Sequence, residues 1–232
     1  MKKSIQWTWR DVVILLIVPA ELLLGSLINT LGVTQNQMIA TIAAFFIFFS
    51  GFLTAVLLRR DLLIADFRRY KQHLLKNIGL SLLGAVSFGI IIFLGRMLLM
   101  KPTGSLALGS YAAAISPSTT LSILISGVIP VLAPFTEEIV FRHELFYKWK
   151  DSKNLRVVML LVSSILFGLV HYNNYSGTPI MMIPLMVAGL ALAGLYYWSK
   201  NIWVNIMAHF FYNAVLSLIP SIFLIIVQLI SG

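Results

Sequence analysis

The chain alternates between long apolar runs and short polar segments. Apolar stretches lie at about 12–31, 38–58, 78–100, 121–148, 157–172, 180–198 and 202–230. Six or seven of them approach or exceed the ~20 residues that span a bilayer as an α-helix. The apolar positions are continuous and do not alternate every second residue, so the pattern predicts helices and disfavours a β-barrel. Pro220 interrupts the last stretch. That stretch is either one long kinked helix or a span followed by a short eighth segment. The segment from Arg59 to Lys76 has another rhythm. Leu62, Leu63, Phe67, Leu74 and Leu75 fall at helical spacing among six basic residues and two acids. This predicts an amphipathic helix on the inner membrane surface. The stretch 101–119 holds Gly104, Gly109, Pro117 and an apolar centre. It is expected to lie along the membrane as a re-entrant or interfacial segment. The expected fold class is all-α: a polytopic transmembrane bundle of seven spans with room for an eighth. One integral membrane domain covers 1–232.

Composition agrees with that pattern. The chain is 59% hydrophobic and 11% charged, with a mean hydropathy of +0.92. Soluble domains are about 45–50% apolar and about 25% charged. The net charge of +9 would suit a nucleic-acid partner, but its placement argues against one. Fourteen of the seventeen basic residues fall in segments that alternate spans would place on one side. That asymmetry sets orientation and predicts an inside amino terminus. The first run is long, contains Glu21 and lacks a clear small-residue cleavage site, so it reads as a span and not a signal peptide. The expected location is a bacterial cell membrane, crossed many times. The absence of cysteine removes disulfides, thiolate metal sites, a cysteine nucleophile and S-lipidation.

Against this background the intramembrane polar residues stand out. Glu137 and Glu138 are adjacent carboxylates inside the fourth run, and such groups at bilayer depth are functional-site candidates. On an ideal helix they point about 100° apart. Arg142 lies four residues after Glu138, one turn along the same face, which suits an ion pair. Glu137 then faces elsewhere, as a candidate general base. Pro130 and Pro134 precede the pair, and a kink there frees backbone carbonyls and opens space. His171 ends the fifth run. His209 and Asn213 share a face of the last run at four-residue spacing. Counting from inner basic residues, Glu137 lies roughly 16 Å deep, His171 roughly 22 Å and His209 roughly 14 Å at 1.5 Å per residue. A shared polar cavity is therefore geometrically allowed. Glu21 is either a member of such a site or a structural partner for a polar group such as Arg96. Gly189 and Ala193 form a small-xxx-small pair that lets another helix approach closely.

Other hydrolase signatures fail. His143-Glu144-Leu145-Phe146-Tyr147 begins like H-E-x-x-H, but Tyr147 replaces the second histidine. No G-x-S-x-G elbow is present.

Three motifs remain, in order on successive runs: Glu137-Glu138-x-x-x-Arg142, Phe167-x-x-x-His171 and His209-x-x-x-Asn213. Together they resemble the CPBP intramembrane proteases. That family includes type II CAAX prenyl endopeptidases and bacteriocin-processing or self-immunity relatives. The resemblance covers about 121–218. It implies an intramembrane endopeptidase acting on a peptide or membrane-associated protein within the lipid bilayer. It also implies that Glu137, with His171, activates a water, and that His209 and Asn213 stabilise the oxyanion. Glu138 and Arg142 would support the cavity. Metal dependence stays open: Glu137, His171 and His209 could form a Zn2+ site with a water in the fourth position, or catalysis could be metal-free. Two other functions compete: a non-catalytic immunity protein that binds a peptide, and an ion-coupled transporter using the paired carboxylates.

Overall fold

A computed structural model describes residues 7–99, 120–175 and 177–231. The expected re-entrant segment at 101–119 lies outside the described residues. Helix α1 spans Trp9–Thr30 and starts where a capping box permits. The Thr8 N–H donates to Asp11 Oδ2 at 2.6 Å, which satisfies a donor at the helix start. Gly32, at φ +72°, turns the chain, and Asn36 caps α2 (Gln37–Leu58) by accepting from the Ile39 N–H at 3.2 Å. Helix α3 (Arg60–Gln72) is the amphipathic segment, and α4 (Leu74–Leu99) follows.

The fourth run is not one regular helix. Helix α5 (Thr120–Glu137) continues into a wider π-helical stretch, Glu138–Phe146. Helix α6 is Lys153–Leu169 and α7 is Ile183–Ser199. The last run contains α8 (Ile202–Asn213), a second π stretch (Ala214–Leu218) and α9 (Ile219–Ser231). They follow one another without a break, so the last run is one long segment and not a span plus an eighth. The wide turn falls just before Pro220, whose missing N–H breaks the regular ladder. Among the described residues seven helical segments are long and apolar enough to cross a membrane, and none is a strand. The chain is an integral, multi-pass, all-α membrane protein.

Packing sets the α5 and α7 segments at the centre, each 44% buried, while α2 is mostly peripheral at 11%. The small residues let α6 and α7 touch. A Cβ on Gly189 would lie 3.0 Å from Phe167, and one on Gly168 would collide with Met186. These contacts fix the end of α6, where Phe167 and His171 sit. Helix α3 also docks on protein. Asp66 accepts from the Ile202 N–H at 2.8 Å, and Trp203 Nε1 donates to the Leu63 carbonyl at 2.8 Å.

The basic-rich end is tied by charge. Arg59 pairs with Asp11 and donates to Glu144 at 2.6 Å, and Lys148 lies 2.8 Å from Asp11. Burial alone would lower the Arg59 pKa, but its bonds to Glu144 and Asp11 outweigh burial and hold it above its ordinary value. This network links α1, α2 and the π stretch. A cavity of about 1510 Å³ opens beside it, lined by Arg59, Glu144 and Tyr196 among others, and its lining excludes Glu137 and His209.

Candidate active site

The site begins where α5 becomes π-helical. Glu138 is fully buried and bonded on both oxygens. His209 Nδ1 donates to Oε1 at 2.9 Å, and Asn205 Nδ2 donates to Oε2 at 3.1 Å. Arg142 Nε lies 3.3 Å from Oε2, so the expected i,i+4 pair is formed inside the π turn. The Arg142 guanidinium is fully buried and sits 3.9 Å over the Phe167 ring. A cation on an aromatic face offsets part of its desolvation.

Glu137 stays outside the Glu138–Arg142 pair and meets the His209 ring at its other nitrogen. Its Oε2 lies 3.9 Å from His209 Nε2. One imidazole therefore spans both carboxylates, because its two nitrogens project in different directions. Glu138 takes the Nδ1–H, which leaves Nε2 as the nitrogen turned toward Glu137. The Glu137 side chain keeps 15% exposure, and its Oε2 has no protein hydrogen-bond partner. Phe88 and Phe167 pack edge-on against the His209 ring at 5.1 and 5.8 Å between centroids.

The other two expected residues are held by backbone. His171 follows α6, and its Nδ1 donates to the Phe167 carbonyl at 2.8 Å. Its ring lies 5.2 Å from the Phe167 ring, which also touches His209. Asn213 Nδ2 donates to the Pro130 carbonyl at 2.7 Å. That carbonyl needs a donor because Pro134, four residues on, has no N–H. The prolines therefore do free a carbonyl, and one Asn213 hydrogen is committed to it.

Residues 118–215 match the family described as "Type II CAAX prenyl endopeptidase Rce1-like". That segment is similar to this Rce1-like family. It contains Glu137, Glu138, Arg142, His171, His209 and Asn213. A Bacillus subtilis (strain 168) protein named "Putative membrane peptidase YdiL" is 32% identical over 93 residues. The alignment covers 40% of this chain and 34% of that protein. The chain thus spans about a third of the length of the curated relative it matches. No solved structure matches.

Two groups outside the Rce1-like segment complete the surroundings. Phe88 comes from α4. Glu21 comes from α1, close enough to Glu137 for their charges to interact, and it rests against Gly51 of α2. Its Oε1 is buried without a hydrogen-bond partner. Within the Rce1-like segment, Asn205 escaped the sequence reading. It lies one turn before His209 on the same helix, so a polar residue at that spacing was the available signal.

The residues do not fit the zinc set. Among the described residues no three His, Asp or Glu side chains converge to hold a metal ion. Glu137 and His209 approach each other, but His171 does not join them in such a group.

Proposed function

We propose that this protein is an intramembrane endopeptidase whose base is Glu137. The observation that carries the reading is the 3.9 Å gap between Glu137 Oε2 and His209 Nε2, with Glu138 holding the far side of the ring. Two facing acceptors at that separation suit a bridging water that donates one hydrogen to each. Glu137 takes a proton from that water, and the hydroxide adds to a peptide carbonyl. The oxyanion accepts from the second amide hydrogen of Asn213. Collapse breaks the C–N bond, and Glu137 returns its proton to the leaving amine. His209 orients the water, in place of the oxyanion role first expected for it. His171 reaches the reacting centre through Phe167. The Rce1-like match and the name of the Bacillus relative support a peptidase, and the membrane-spanning fold supports a peptide or membrane-associated protein as substrate.

The test is mass spectrometry of peptide and membrane-protein termini from cells holding wild-type protein or Glu137→Gln. The wild type should generate new termini, and Glu137→Gln should reduce them by about 10²–10⁴-fold, the usual contribution of a general base. Equal termini from both proteins would sink the assignment. Peptide protection that survives Glu137→Gln would favour an immunity function, and ion-driven flux without new termini would favour a transporter.

A further inference from the structure

A second cleft lies between α4 and α7 and shares no lining residue with the charged end cavity. It measures about 290 Å³, and Ser87 is the one hydroxyl in its lining. Leu80, Leu83 and Phe88 form one wall, and Ala191, Leu195 and Trp198 form the other. Leu83 and Trp198 are 63% and 66% exposed, so the cleft opens on the outer surface of the bundle. Gly194 sits in its lining, and a Cβ there would meet nothing within 4 Å. From Leu80 to Phe88 the cleft runs about 12 Å along α4 at 1.5 Å per residue. That is close to one leaflet of a ~30 Å hydrocarbon core.

Its two ends differ. The deep end is Phe88, which packs on His209. The shallow end is basic. Lys76 lies one turn before Leu80, and Lys200, which also lines the charged end cavity, follows Trp198 by two residues. Both lysines are exposed, and among the described residues neither pairs with an acid. A tryptophan and cations at the mouth of a leaflet-deep apolar slot match a phospholipid headgroup above an acyl chain.

We propose that the α4–α7 cleft binds one acyl chain of an anionic phospholipid from the basic-side leaflet, with Lys76 and Lys200 on its phosphate. The site shares the Phe88 wall with the candidate active site, but its test needs no peptidase activity. Purified protein is placed in phosphatidylcholine vesicles containing a photoactivatable phosphatidylglycerol, and labelled peptides are mapped. Label should concentrate on α4 and α7. Gly194→Leu, which fills open space, should cut that label about tenfold while the melting profile is kept. Lys76→Gln and Lys200→Gln, both on the exposed surface, should each reduce it about fivefold, from about 1 kcal/mol per basic residue near an anionic surface. Photoactivatable phosphatidylcholine should label the cleft less than phosphatidylglycerol does. Label spread evenly over all seven spans, label unchanged by Gly194→Leu, or equal labelling by the two lipids would overturn the proposal. Should Gly194→Leu fail to fold, the two lysine variants decide it.

Discussion

Glu138 has two separable roles, and one pair of substitutions distinguishes them. It neutralises Arg142 at 3.3 Å and holds the Nδ1–H of His209 at 2.9 Å. Glu138→Gln keeps the shape and removes the charge. Arg142, fully buried and with no hydrogen bond on its guanidinium, then keeps the faces of Phe167 and Phe141 and the more distant Glu137 charge. Breaking one partner of a buried pair costs about 3–5 kcal/mol. Removing both charges, with Glu138→Gln and Arg142→Met together, leaves no orphaned ion. The double variant should recover to within about 1–2 kcal/mol of the parent, since apolar replacement of a buried pair is often close to neutral. Activity should not recover. His209 would face an amide in place of a carboxylate, and losing the tautomer held by a carboxylate costs about 10⁴-fold in a comparable carboxylate–histidine pair. Unfolding in detergent gives the stabilities, and terminus mapping in membranes gives the activity. If the double variant regained both, Glu138 would be only the counter-ion of Arg142, and the orientation argument for His209 would fail.

Three further perturbations probe the frame. Asn205→Leu removes a donor to the buried Glu138 carboxylate and one to the Leu192 carbonyl, and should cost about 1.5–3 kcal/mol in the same unfolding assay. Gly51→Ala puts a methyl group into the Glu21 carboxylate, so α1 and α2 must separate there, and a loss of about 1–3 kcal/mol is expected from overpacking; an unchanged melting profile would contradict the packing. Arg59→Ala leaves Asp11 and Glu144 sharing Lys148 alone, and limited proteolysis should show earlier cleavage around α1 and α2 than in the parent.

Much of the frame was legible in the sequence, for physical reasons. A bilayer leaves helices as the way to satisfy the backbone of continuous apolar runs, so the seven spans follow from run length. The second was expected at 38–58 and is Gln37–Leu58. The first begins earlier than its apolar run, at Trp9, because Thr8 and Asp11 form a cap that hydropathy does not register. The surface segment is shorter than expected, with α3 ending at Gln72 and α4 starting at Leu74. Its buried Asp66 grips the start of α8, a tertiary contact that the amphipathic spacing of α3 does not encode.

At the site, spacing predicted pairs within one helix and failed between helices. Glu138 and Arg142 meet as an i,i+4 pair should. Glu137 and Glu138 diverge on ideal α geometry, and in the structure they meet different nitrogens of one imidazole where the helix widens. The pattern of apolar residues carries no mark of a π turn. It does carry Pro134, and the missing N–H of that proline identifies the orphaned carbonyl that Asn213 satisfies. Most of the remaining buried side-chain atoms without a protein partner follow the same geography. Among the described residues, Glu137 Oε2, the Arg142 nitrogens and Asn205 Oδ1 lie around Glu138 and His209, Glu21 Oε1 lies on the helix beside Glu137, and Trp149 Nε1 stands apart at the charged end. Elsewhere in the bundle Ser163, Asn201 and Trp203 spend donors on backbone carbonyls. Unpaired polar atoms in apolar surroundings are costly unless water or substrate reaches them. Their concentration around one histidine is therefore a physical argument for a wet pocket at that depth, independent of any motif.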